Sequence, residues 1–329
     1  MNRTIKRNVI NMSPLRALLV AATAAVLAGN AAYAADAPAK KPAAAKSAAT
    51  KAPAQKAYAT PEALFQALAD AAQADDLKTL HALFGPKGDA VTSSGDAVAD
   101  KQRRANFAAS YAEKHSVTMD GDTKATLIVG KEDWPMPVPA VKGARGWTLD
   151  TAAGSKEMFA RRVGQNELSA IQVVRAIGDA QRDYASEDRD VNGLPNYARK
   201  FVSSPGKKDG LYWPTKEGEP QSPLGPLAAQ ASSEGYSKKS APYHGYYYRI
   251  LTAQGKDAKG GVQNYIVQGM MIGGFAVVAY PATYANSGVM TFMAGADGVV
   301  YEKDLGANTA AIARAMQTYN PDSSWKPVP

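Results

Sequence analysis

Residues 165–184 read QNELSAIQVVRAIGDAQRDY, and residues 246–252, 275–280, 289–293 and 299–301 read YYYRILT, FAVVAY, VMTFM and VVY. In the first stretch Leu168, Ile171, Val174, Ile177 and Tyr184 recur at helical spacing, with Arg175, Arg182 and Asp183 at polar positions. This predicts one long helix that begins at Gln165 or Asn166 and ends over Ser186–Asp190. The later stretches are short, β-rich and separated by turn residues: Gly273-Gly274, Pro281 and Ala296-Asp297-Gly298. A long helix followed by a four-stranded antiparallel meander is an α+β plan. A short helix is expected over Leu227–Ala231 and a last one over Thr309–Tyr319, with Trp325 anchoring the C-terminus.

Working towards the N-terminus, residues 58–163 form a second α+β unit. Thr60-Pro61-Glu62 is a helix start, with Thr as cap, Pro in the first turn and Glu at the positive end of the dipole. Asp75-Asp76 opens a second helix carrying Leu77, Leu80, Leu83 and Phe84, stopped by Gly85-Pro86. A third helix is expected over Val98–Lys114, then strands at Val117–Met119, Thr126–Val129 and Trp147–Leu149. Between the strands, Trp134–Pro139 is a stiff extended run, because three prolines remove three backbone donors. The order of elements resembles cone-shaped folds of the nuclear-transport-factor-2 type. That resemblance implies a small-molecule or protein-association pocket.

The first 57 residues read differently. A basic region through Arg16, the apolar run Ala17–Ala28 and the small-x-small site Ala32-Tyr33-Ala34 make residues 1–34 a cleavable secretory signal. The apolar run has about 12 residues against the roughly 20 of a spanning helix. No transmembrane anchor is expected after cleavage. Residues 35–57, almost wholly Ala, Lys, Pro, Ser and Thr, are expected to be a disordered tether. The destination is the periplasm or the extracellular space.

Charge and composition exclude several functions. The net charge is +8, yet nine of the 38 basic groups and one of the 30 acidic groups precede residue 58. The remaining 29 of each leave the folded part neutral, which excludes a bulk nucleic-acid footprint. The absence of Cys excludes disulfides, thiolate metal centres, thiol nucleophiles and a lipoprotein anchor. No Gly-x-Ser-x-Gly, His-Glu-x-x-His, Walker or Gly-x-Gly-x-x-Gly motif is present. Ser204-Pro205-Gly206-Lys207 matches Ser-x-x-Lys only on paper, since Pro-Gly forbids the helix that would bring Lys to Ser. No catalytic residue is assigned, and no cofactor is required.

Two constellations are candidate sites. In Asp188-Arg189-Asp190-Val191-Asn192-Gly193, oxygen side chains alternate before a Gly that permits a sharp turn, which is how a short loop wraps calcium. Asp188, Asp190 and Asn192 would give side-chain oxygens, Leu194 a carbonyl and Asn196 a further ligand. Arg199 stands where an EF-hand places its bidentate Glu, and a polar helix-ending turn is the other reading. The second constellation is Tyr243, His244, Tyr246, Tyr248 and Arg249, a surface for stacking sugar rings or a peptide if it is exposed. Buried tyrosines of a half-covered strand are the other reading. His81, on an apolar helix face, and His115, at a helix end, read as structural.

Several blocks carry a family resemblance. They are Asp133-Trp134-Pro135, Trp147 with Asp150–Gly154, Arg161–Leu168 and Ser204–Trp213. Further on come Pro242–Arg249, Gly288–Phe292 and Val300–Gly306. Collinear over roughly 58–328, they resemble the bacterial exported family catalogued as domain of unknown function 2950. The resemblance implies Asp-x-Asp-x-Asp-Gly with Glu at the position of Asn196, and this chain has Asn at two of those acidic places. The helix and meander of residues 164–329 also resemble the globular part of type IV pilins and pseudopilins. The chain lacks their processing site and apolar N-terminal helix, so assembly through such a helix is excluded.

The reading is an exported, non-enzymatic binding or assembly module of the envelope, with an envelope protein or glycan as partner. Two alternatives stand beside it. A hydrolase of peptidoglycan or another glycan calls for a convergent pocket of Asp or Glu with His244. A small-ligand carrier calls for an apolar cavity lined by residues such as Phe84, Phe107 and Trp134.

Overall fold

A computed structural model of the chain describes residues 55–237 and 241–329. The expected signal peptide and residues 35–54 of the tether lie outside the described residues. The end of the tether is docked rather than free. Gln55 donates its amide to the carbonyls of Leu83 (2.6 Å) and Leu149 (2.8 Å), and Lys56 N–H bonds Ala82 O.

Helix α1 (Pro61–Gln73) is capped by Thr60, whose hydroxyl accepts from Ala63 N–H. Helix α2 (Leu77–Phe84) is capped by Asp76, and Gly85 ends it at a φ of 72° that suits glycine. A short helix α3 (Gly88–Thr92), absent from the sequence reading, precedes α4 (Ala97–Glu113), which Asp96 caps. Strands β1 (His115–Asp120), β2 (Lys124–Val129), β3 (Trp134–Pro135), β4 (Ala140–Gly143) and β5 (Gly146–Leu149) form an antiparallel sheet. The Pro-rich run contributes β3 at its start, paired with β2. Leu64, Phe65, Leu68, Leu80, Leu83, Leu127, Trp147 and Leu149 pack in the core between these helices and the sheet.

Helix α5 (Thr151–Tyr184) starts fourteen residues before the expected Gln165. Asp150 caps it by accepting from Ala153 N–H at 3.0 Å. Its first turns carry Gly154, Gly164 and no continuous apolar stripe, which hides them from a periodicity search. Gly154 is where the helix meets the Pro-rich run, since a Cβ there would lie 2.5 Å from Pro137 O and from Val138 Cα. The helix is unbroken at residues 163–164, where the sequence reading places a domain boundary, and the described residues belong to one compact unit. The apolar cores nevertheless fall on the two sides of that position.

The C-terminal half holds α6 (Gly225–Ser233), β6 (Tyr246–Leu251), β7 (Ala276–Pro281), β8 (Met290–Gly295), β9 (Val300–Asp304), α7 (Thr309–Ala315) and β10 (Lys326–Pro327). The sheet runs β10-β9-β8-β7-β6, all antiparallel, with Tyr248 opposite Ala279 and Val278 opposite Met293. One face meets Val174, Ile177 and Tyr184 of α5 through Tyr246, Val277 and Phe292. The other face buries Val278 and Met293 with Phe275, Tyr319 and Trp325. Because both faces are covered, β7 is buried along its whole length and reads as a continuous apolar run. Among the described residues, no helix is long and apolar enough to cross a membrane.

Candidate functional site

Where the helices of the N-terminal half meet α5, the core does not close. A groove of about 700 Å³ lies between them, within the range of small-molecule sites. Leu68 and Ala72 of α1, Leu80 and Phe84 of α2, Val91 of α3 and Phe107 of α4 form one apolar side. Val129 of β2, Trp134, Met136 and Pro137 of the Pro-rich run, and Met158 of α5 form the other. Phe84, Phe107 and Trp134, the residues named for a carrier cavity, all line it. Trp134 stays 53% exposed and marks the rim.

The charged groups in the groove are mainly arginines. Arg103 and Arg104 come from α4, Arg161 and Arg162 from α5, with Asp100 as the one lining carboxylate. Arg103 pairs with Asp100 (2.9 Å), Arg104 with Asp75 (2.6 Å) and Arg161 with Glu157 (2.6 Å). Arg161 also lays its guanidinium over the Trp134 ring, 4.3 Å from the centroid, a cation–π contact. Arg162 is 7% exposed and donates to the carbonyls of Ala90 and Val91 and to the Asn286 amide oxygen. Burial, reinforced by Arg103 and opposed by Asp100, pulls its pKa down to about 10, and it remains cationic at neutral pH. These four residues are the only Arg-Arg pairs in the chain. That repetition is the trace they leave in the sequence, and by itself it does not show that the two pairs meet.

Next to the groove, a buried polar seam joins the two halves. Arg103 donates to Asn166 Oδ1 (2.8 Å), and Asn166 donates to Ser287 O (2.8 Å). Asp96 is almost wholly buried and accepts from Ala99 N–H, Gly245 N–H and the Tyr236 hydroxyl. His244 Nε2 lies 3.4 Å from Glu234 Oε2. Burial lowers the His244 pKa, with Arg103 adding to the effect and Glu234 and Asp96 opposing it. The convergence of acids on His244 that a hydrolase calls for is thus partial, because structural donors engage both oxygens of Asp96.

The predicted aromatic surface does not form one exposed face. Tyr246 is fully buried and donates to Met290 O, and Tyr248 donates to Tyr243 O (3.3 Å). Arg249 is turned to the end of α7, donating to the carbonyls of Ala313 (2.5 Å) and Met316 (3.1 Å). Tyr243 and His244 are half-buried against Tyr236. Strand alternation explains the outcome: Tyr246 and Tyr248 face α5, and Tyr247 lies on Tyr280 on the opposite face.

In the acidic loop, Asp188 accepts from Asn192 N–H (3.0 Å) and Gly193 N–H (2.9 Å). Asn192 Oδ1 accepts from Leu194 N–H, and Asn196 donates its amide to Asp190 Oδ1 (3.0 Å) and Leu194 O (3.1 Å). Val191 and Gly193 take left-handed φ values of 54° and 98°. Arg199 donates to Gly269 O at 3.2 Å and lines one cavity with Asp190, Asn192 and Asn196. Among the described residues, no group of three or more His, Asp or Glu side chains is placed to hold a metal.

Fold and site together define an α+β protein with an arginine-lined apolar groove beside a polar seam. Residues 55–328 match the family model described as Protein of unknown function (DUF2950), and the chain belongs to that family. No curated protein and no solved structure matches it.

Proposed function

We propose that this protein is a non-enzymatic binding module of the cell envelope, exported by its N-terminal signal, that holds a small apolar ligand in the groove. The groove itself carries the reading. A volume of about 700 Å³ with walls from five helices and a sheet is left open in the N-terminal half. Apolar surface left wet costs roughly 25 cal/mol per Å², so covering it drives binding. The choice of a small ligand over a glycan-stacking surface follows from the burial of Tyr246 and the internal bonding of Tyr248 and Arg249.

Titration with the uncharged fluorophore N-phenylnaphthylamine tests this. Saturable fluorescence enhancement is expected, and Asn106→Trp, an exposed lining position on α4, should abolish it without changing the far-ultraviolet circular dichroism. Enhancement that persists undiminished in that variant places the dye elsewhere and contradicts the reading.

As a second part of the proposal, calcium binds the Asp188–Asn196 loop and stabilises the end of α5. The left-handed Val191 and Gly193, with Asp188 gathering two backbone N–H groups, support that reading by giving the curvature a cation-wrapping loop needs. Asn196 would rotate its amide to turn its oxygen inward.

A further inference from the structure

The arginines of the groove are not equivalent. Each guanidinium offers five donors. Arg103, Arg104 and Arg161 each meet a carboxylate, at Asp100, Asp75 and Glu157. Among the described residues Arg162 meets none within ion-pair distance, Asp100 acting on it only from farther off, and its three acceptors are two carbonyls and an amide oxygen. It is therefore a buried cation held by neutral groups, an arrangement that costs stability unless a counter-charge is supplied. Its neighbour Arg161 spends Nε on Glu157 and its face on Trp134, while its Nη1 is buried and donates to nothing among the described residues. One unmatched positive charge and one unused buried donor thus sit on consecutive residues that line the same apolar groove.

We propose that the ligand is an amphipathic monoanion, a carboxylate on an apolar body, with its carboxylate against Arg161 and Arg162 and its body along Phe84, Phe107 and Met158. This rests on the reading of the groove as a ligand site and adds the ligand's chemical class. A carboxylate suits guanidinium donors because its two oxygens accept in one plane. One unmatched cation calls for one negative charge, which favours a carboxylate over a doubly charged phosphate monoester. The apolar body fits walls on which, apart from Thr92, Asn106, Ser110 and Gln165, only the arginines and Asp100 are polar.

The test is calorimetric titration of the full chain after signal cleavage, at neutral pH, with decanoate and with decanol, which share a chain and differ in charge. Decanoate is expected to bind about tenfold more tightly, the worth of one charge-assisted hydrogen bond. Arg161→Gln should remove most of that difference between the two probes, and Arg161→Lys should retain part of it. Equal affinities for the two probes in the unaltered protein overturn the monoanion assignment and leave the groove as a ligand site. Failure of both probes to bind overturns both. A preference for decanoate that survives undiminished in a folded Arg161→Gln protein places the carboxylate elsewhere and also overturns the assignment. Should that variant not fold, the comparison in the unaltered protein decides.

Discussion

The Tyr236 hydroxyl donates to the carboxylate of Asp96 at 2.9 Å, across 140 residues of sequence. The same carboxylate accepts Gly245 N–H (2.8 Å) and caps α4 through Ala99 N–H (3.1 Å). One side chain thus closes a helix start of the N-terminal half and a strand entry of the C-terminal half. Asp96→Ala leaves those donors unpaired, the Gly245 N–H fully buried and the other two partly so. We predict a loss of about 3–5 kcal/mol, measured by urea unfolding, with a smaller loss for Asp96→Asn.

Gly154 offers a prediction in which two effects oppose. Replacing a helical Gly by Ala ordinarily stabilises by about 1 kcal/mol. Here the new methyl would lie 2.5 Å from Pro137 O and Val138 Cα, both backbone atoms that cannot swing aside. Overpacking of this kind costs roughly 1–3 kcal/mol, so Gly154→Ala should lower the melting temperature and displace the Pro-rich wall of the groove. Gly164, where a Cβ meets nothing within 4 Å, is the control, and Gly164→Ala should raise it.

Burial holds the His244 pKa below its ordinary value of about 6.5. The unfolded chain therefore takes up the proton first as pH falls, and stability must fall with it. The contribution is intact above about pH 6.5 and is lost progressively through the acid range below that. His244 sits at φ 50°, a conformation that Asn tolerates. His244→Asn should give a flatter dependence of melting temperature on pH between 7 and 5, read by scanning calorimetry.

Calcium at the Asp188–Asn196 loop should appear as a thermal shift. At about 100 times its dissociation constant an ion adds about 2.7 kcal/mol. The predicted result is a rise in melting temperature with calcium, reversed by chelator and absent in Asp188→Ala/Asp190→Ala. No rise reduces the loop to the polar turn that its hydrogen bonds already form.

Most of the fold was legible because its local determinants are local in sequence. Thr60, Asp76 and Gly85 set helix ends, and the apolar runs of β6, β7 and β8 lie near their expected places. The start of α5 was hidden because the helix there buries Gly154 and Ser155 rather than a run of large apolar residues. The site was only half legible. Phe84, Phe107 and Trp134 could be named because aromatic residues on adjoining elements must be either core or cavity wall. The arginines could not, since pairing Arg103-Arg104 with Arg161-Arg162 requires knowing that α4 and α5 share one groove. Strand order likewise decided the fate of the tyrosines, because burial of both sheet faces leaves Tyr246 no exposed side.

Whether the groove is a ligand site can be tested by locating a ligand directly. With methyl-labelled methionine, Met136 and Met158 report from the groove wall, while Met119, Met270, Met271, Met290, Met293 and Met316 lie outside it. Two-dimensional methyl spectra recorded through a decanoate titration should show Met136 and Met158 shifting together along one saturable curve while the others stay in place. Shifts confined to the methionines outside the groove, or Met136 and Met158 unmoved at saturation, would show that the groove does not hold the ligand.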